Sequence, residues 1–186
     1  KEFEQEMAGL FADVQTMFEE FEHRTIHEHL TADILNNTSD DELVLTVFDT
    51  LAVQAPEHLG EAEYLATLSP ERRAVYALFI LAGEVDNGGF NQYYYNTEAE
   101  ASKYLHESFE LIGAPKYAEL AADACRCYRE NGIAERHNGT LEQFCASYEN
   151  NPLTEYDEKF YALEDEQPLH DLLVKFIRSR IDAFVM

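Results

Sequence analysis

The 186-residue chain has no tryptophan and little positive charge, with 13 Lys and Arg against 37 Asp and Glu. A formal net charge of -24 sets direct binding to DNA, RNA or an anionic membrane aside, because each would repel it. Long hydrophobic runs are missing too. The longest, Ala74 to Ala82, has nine residues, and a bilayer span needs about twenty. No membrane partner is therefore expected. The first residues, Lys1 to Glu6, lack the basic start and apolar stretch of a secretory leader. Only three cysteines occur (Cys125, Cys127, Cys145), an odd number in a chain large enough to fold without disulfides. Reduced thiols in a cytoplasmic protein are the expectation.

What is present is enough to build a core. The chain is 46% hydrophobic, which argues against wholesale disorder and fits one domain spanning residues 1–186. Apolar residues recur at helical spacing from Phe3 through Met7, Leu10, Val14, Phe18 and Phe21, with Glu6, Asp13 and Glu20 about 10.5 Å apart on the opposite line. Similar stripes run through Val44–Leu51, Leu105–Ile112, Leu120–Tyr128, Leu141–Tyr148 and Leu169–Ile177. Capping-box spacing predicts helix starts at Thr25, Ser39, Thr97 and Thr140, and Ser69-Pro70 adds a cap followed by proline. Ala74–Ala82 is apolar all round and predicts a buried central helix. No strand shows period-two alternation. The expected fold is all-α, a single domain of about eight to ten packed helices.

The acids are segregated along the chain. No Lys or Arg falls between Thr25 and Glu71, while Glu28, Asp33, Asp40, Asp41, Glu42, Asp49, Glu57, Glu61 and Glu63 do. A folded chain of this mass exposes on the order of 9,000 Å², so the mean density is about one net charge per ~380 Å². DNA carries about one per ~110 Å², a value that only acids gathered on one face can approach. Most charge runs are simply solvated. Adaptation to high salt is another ordinary explanation, but 26 Glu to 11 Asp beside 12 Phe and 11 Tyr argues against it.

Three other groups carry side chains capable of chemistry. His23 and His27 have the i, i+4 spacing of a zinc pair, with His29 nearby, but Thr25 as a cap would split that face, and no metal is expected. Cys125 and Cys127, two apart on a helix, diverge too far to chelate together; Cys127 is expected to pack, with Cys125 nearer the boundary. The run Asp86-Asn87-Gly88-Gly89-Phe90-Asn91-Gln92-Tyr93-Tyr94-Tyr95-Asn96 follows the buried helix. Its glycines permit a left-handed turn that ends that helix, with Phe90 and the tyrosines returning to the core. It lacks the Lys and Ser/Thr of a phosphate loop. A structural turn is the stronger reading. A pocket lined by Asn87, Gln92 and the tyrosines of the Asn87–Asn96 turn, with His106, is the alternative and would make the protein a small ligand binder or hydrolase.

The segment from Leu68 to Arg73, the turn Asn87–Asn96, and Ile112-Gly-Ala-Pro-Lys-Tyr-Ala118 together resemble the bacterial DNA-mimic family of the DMP-nineteen type, over about residues 68–128. That resemblance implies an all-helical homodimer whose acidic face imitates duplex DNA and occupies the DNA-binding surface of a helix-turn-helix regulator. It supplies no catalytic residue and no cofactor, so no enzymatic activity is expected. The charge pattern then nominates a mimic face of Glu6, Asp13, Glu20, Glu28, Asp33, Asp40, Asp41, Glu42, Asp49, Glu57, Glu61 and Glu63. Ile181, Phe184 and Val185, if exposed, are a candidate dimer contact. An immunity-type inhibitor of a basic nuclease is a further reading of the same charge.

Overall fold

A computed structural model describes residues 23–97, 99–133 and 140–186. The first stripe, and with it Glu6, Asp13 and Glu20, lies outside the described residues. Ten α-helices and one 3₁₀ helix occur among the described residues, with no strand. In chain order they are α1 (Ala32–Asn37), α2 (Asp40–Val53), α3 (Glu61–Thr67), α4 (Pro70–Thr97), the 3₁₀ helix (Glu100–Tyr104), α5 (Leu105–Ile112), α6 (Pro115–Glu130), α7 (Leu141–Ser147), α8 (Thr154–Glu166), α9 (Leu169–Arg178) and α10 (Ile181–Phe184). The fold is all-α, as the periodicity predicts.

Some helix starts follow the predicted chemistry and others do not. Ser69 Oγ accepts from Arg72 N at 3.4 Å ahead of Pro70, and Thr140 Oγ1 accepts from Gln143 N at 3.3 Å. At Ser39 the hydroxyl donates to Glu42 Oε2 at 2.9 Å instead of capping an amide. Thr25 starts no helix: the chain runs irregularly to Thr31, which caps α1 through Ile34 N at 3.2 Å. Thr97 is the last residue of α4, and its hydroxyl donates back to the Tyr93 carbonyl at 2.7 Å. Gly113, at φ +80°, ends α5 in the left-handed conformation, and Pro115 then opens α6.

The long helix α4 is the hub, packing against α2, α3, the 3₁₀ helix, α5, α8 and α10. Ala74, Val75, Ala77, Leu78, Leu81 and Val85 are buried on its first half, as expected for the central helix. Phe90, Tyr93 and Tyr94 are fully buried on its second half. Around them Tyr94 stacks on Tyr128 at 4.3 Å between centroids, while Phe160 meets Phe90 and Tyr117 edge-on.

The C-terminus folds onto its own chain. Leu30 and Met186 exchange two backbone hydrogen bonds of 2.9 Å, and Arg72 donates to the carbonyls of Ala183 and Val185. Phe184 is fully buried, which corrects the expectation of an apolar face there; only Val185 stays exposed.

Candidate functional site

The kink in α4 is where the motif acts. The run of glycines does not end the central helix but breaks it into two stretches that continue from one another. Only Gly89 has the positive φ that favours glycine, at φ +73° and ψ -178°; Gly88 is extended at φ -162°. A Cβ at Gly89 would also meet the Asp157 carboxylate at 2.5–2.8 Å. At Gly88 it would meet the Gln92 amide and, at 2.8 Å, the Tyr148 hydroxyl.

A break in a helix frees backbone groups that need new partners. Here they come from other helices. Asp157 Oδ1 on α8 accepts from Phe90 N at 2.7 Å, so a carboxylate seats on the amide that begins the second stretch. Tyr148, just after α7, donates to the Gly88 carbonyl at 2.9 Å, and Tyr161 on α8 donates to the Val85 carbonyl at 2.8 Å. The buried Asn91 donates to Ser147 Oγ at 2.7 Å. The kink is thus a fastener joining α4 to α7 and α8. None of these partners adjoins the motif in sequence, and sequence reading did not find them.

The polar motif residues serve the same purpose. Gln92 Nε2 and Asn96 Nδ2 both donate to Glu84 Oε2, at 2.8 and 2.7 Å, bridging one stretch of α4 to the other. Tyr93 is buried and Asn87 is exposed. Among the described residues, the cavities are lined by side chains other than those nominated for a pocket, and His106 is exposed on α5. Cavities of about 570 and 510 Å³ lie elsewhere. The first is lined by His23, Arg24, His27, Glu42 and Asp49 among others, the second by Glu71, Arg178, Arg180 and neighbours. His29 is not at the first, and among the described residues no group of His, Cys, Asp and Glu could hold a metal ion. Cys125 and Cys127 are both buried, so Cys125 is not the boundary residue expected. Burial raises the Cys127 thiol above its ordinary range.

The acid-only stretch is less uniform in space than in sequence. Glu28, Asp33, Asp40, Asp41, Glu42, Glu57 and Glu63 are exposed. Asp49 is not: it is buried in a two-pronged ion pair with Arg24, at 2.5 and 3.0 Å, and leaves the mimic face. Asp40 is tied to Arg178 of α9 at 2.6 and 2.9 Å, with that guanidinium also donating to the carbonyls of Leu35 and Thr38. Cations distant in sequence thus fold onto part of the stretch. Asp33, Asp41, Glu57 and Glu63 form no ion pair with any described residue. Glu61 is half-buried, and its carboxyl is raised first by burial and then by Glu84 and Glu100. Burial likewise raises Asp86 and Asp157.

A family model described as DMP19-like protein matches residues 66–180, reaching well past the Leu68–Tyr128 motif segment into the helices that supply Asp157 and Tyr161. No curated protein and no solved structure matches the chain. Among the described residues no helix is long and apolar enough to cross a membrane.

Proposed function

The chain belongs to the DMP19-like protein family, and from that premise we propose that it is an acidic DNA mimic. It occupies the DNA-binding surface of a helix-turn-helix regulator, or of another basic DNA-binding protein, and so competes with DNA. The observation that carries this reading is a net charge of -24 with exposed carboxylates free of ion pairs among the described residues, Asp33, Asp41, Glu42 and Glu63 on packed helices and Glu28 and Glu57 in the segments between them. Packing fixes where such carboxylates stand, so a surface built to hold phosphates finds acceptors without ordering them first. The face we assign comprises Glu28, Asp33, Asp41, Glu42, Glu57, Glu61 and Glu63, with Asp40 partly neutralised by Arg178. The reading needs no cofactor and no catalytic residue, and it places the protein in the cytoplasm as a homodimer.

The motif has a supporting part in this reading: the fastened kink fixes α7 and α8 against α4, and with them the outline of the molecule. The first test is capture. The immobilised protein should retain a DNA-binding protein from native cytoplasm at low salt and release it at high salt. The captured protein, once purified, should lose its operator when this chain is added. If nothing that binds DNA is retained at low salt, the proposal fails.

A further inference from the structure

Two aromatic rings are exposed among the described residues, Tyr148 at 41% and Tyr161 at 42%, and both stand at the kink. Their hydroxyls donate to the Gly88 and Val85 carbonyls, at 2.9 and 2.8 Å. Those carbonyls are three residues apart, about 4.5 Å by helical rise, so both rings lie against neighbouring points of α4. Each tyrosine is pinned at its polar end, which leaves ring surface in water. Elsewhere the chain covers rings with its own cations: Arg73 and Lys103 lie over Tyr104 at 4.7 and 4.9 Å, Lys159 over Tyr156 at 4.7 Å and Arg180 over Phe176 at 4.5 Å. Among the described residues no Lys or Arg lies over Tyr148 or Tyr161. What surrounds these two is negative. Asp86, exposed, lies between the two accepting residues in sequence. On α8, Glu158 and Asp165 are exposed three and four residues from Tyr161, on its side of the helix. None of the three acids forms an ion pair with a described residue. Burial first, then Asp157, Asp86 and Tyr148, raise the Tyr161 phenol, in keeping with one shared neighbourhood.

A tyrosine held in place buries a large ring on binding at little entropic cost, which is why such residues anchor interfaces. Beside carboxylates the ring selects a cation. A guanidinium satisfies both, lying flat on the ring while its edge donates to an acid. We propose that the kink face, Tyr148 and Tyr161 with Asp86, Glu158 and Asp165 around them, is a docking surface for an arginine-bearing segment of a basic protein. That this protein binds DNA rests on the mimic reading; the pairing of exposed rings with acids does not. The acids assigned to the mimic face all precede α4, so the kink face is a second contact. It gives the glycine motif a part in recognition, because the broken helix supplies the carbonyls that hold both rings in position.

The test separates ring from hydroxyl. The full chain, labelled with ¹³C in its tyrosine rings, is titrated with a tetra-arginine peptide and with its uncharged tetra-citrulline counterpart. The Tyr148 and Tyr161 resonances should move saturably with tetra-arginine and stay still with citrulline, and those of the buried Tyr93 and Tyr94 should not move with either. Tyr148→Phe, read on the Tyr161 ring, should leave the peptide's affinity nearly unchanged, whereas Tyr148→Leu should weaken it about two- to fivefold. Tyr161→Phe and Tyr161→Leu, read on Tyr148, should divide in the same way. Both members of each pair lose the same hydrogen bond to α4, so lost stability alone cannot produce the difference. If a leucine variant unfolds by circular dichroism, Asp86→Asn with Glu158→Gln carries the comparison, since it removes two exposed charges and should weaken the peptide at least about twofold. Equal affinity in folded Phe and Leu variants, unchanged affinity in the acid pair, or equal shifts with citrulline overturns the inference. So do ring shifts that follow protein concentration without peptide, which would seat a second copy there. A chain that displaces a regulator from DNA while its rings ignore tetra-arginine refutes the kink face alone. Ring binding without displacement refutes the mimic reading alone.

Discussion

Gly89→Ala tests whether the kink is a fastener. The new Cβ falls at φ +73° and ψ -178°, a region that only glycine occupies freely, at a cost of about 1–3 kcal/mol. It also lands 2.5 Å from Asp157 Oδ2, and Asp157 sits on a packed helix, so the carboxylate must move away from Phe90 N. Losing a charge-assisted hydrogen bond costs about 1.5–3 kcal/mol more. The sum, about 2.5–6 kcal/mol, corresponds to a fall in Tm of roughly 5–24 °C for a chain of this size. Gly88→Ala should cost less, about 1–3 kcal/mol, because Gly88 has ordinary φ and the loss is confined to the Tyr148 and Gln92 hydrogen bonds that its Cβ displaces. Asp157→Ala alone should cost about 1–3 kcal/mol by orphaning the Phe90 amide. The double variant Gly89→Ala with Asp157→Ala should cost less than the two single changes added together, since both lose the same hydrogen bond. Urea denaturation of the four variants and wild type reads all of this. A Gly89→Ala variant within 0.5 kcal/mol of wild type, as at an ordinary surface site, or strict additivity in the cycle, refutes the fastener.

Three further outcomes follow from the same structure. Arg178→Ala removes donors to Leu35, Thr38 and Asp40 at once and should cost about 2–3 kcal/mol, and Arg178→Lys should recover little because it lacks the fork; thermal melts of both variants check this. Stability should rise as pH falls from neutral toward the ordinary carboxylate range. Glu61, Asp86 and Asp157 have raised carboxyls, so in that window the folded chain binds protons that the unfolded chain does not yet take. Calorimetry at pH 5 and 7.5 should show a smaller gain on acidification for Glu61→Gln than for wild type, and an equal gain would contradict the assignment. Light scattering at micromolar concentration should give twice the 21.4 kDa chain mass, with a monomer across physiological salt counting against the homodimer.

Local chemistry was legible in the sequence where a signal and its answer lie within one helical turn. Ser69-Pro70 and Thr140 with Gln143 behave as their spacing predicts, and the apolar run Ala74–Ala82 lies in the central helix, buried at Ala74–Leu78 and Leu81 with Phe79, Ile80 and Ala82 half-buried. Thr25 and Thr97 carry the same spacing and start nothing. Gln54 holds the Glu28 carbonyl at 2.8 Å in an irregular segment, and Thr97 closes a helix that the glycines were expected to have ended. The groups that make the kink a fastener, Asp157, Tyr148 and Tyr161, stand 60 to 76 residues from their partners, where no periodicity points to them. The acidic face was half legible. Charge count and exposure follow from composition, but burial of Asp49 under Arg24 and capture of Asp40 by Arg178 are tertiary facts.

Competition with DNA is the measurement closest to the central claim. A helix-turn-helix regulator captured by this protein is bound to a fluorescent operator, and the chain is titrated in while anisotropy is read at several salt concentrations. The chain alone should leave the probe's anisotropy unchanged, and with the regulator present it should return the signal to that of free DNA. Its affinity for the regulator should fall with salt less steeply than the operator's does, because a folded protein lacks the dense counterion layer that DNA releases. Reversing Asp33, Asp41 and Glu57 to lysine, three exposed acids outside the fold's ion pairs, should weaken that competition while leaving the circular dichroism unchanged. Competition by the folded triple variant at wild-type strength would show that these acids are not the face. Failure of the wild-type chain to release the operator at low salt would contradict DNA mimicry itself.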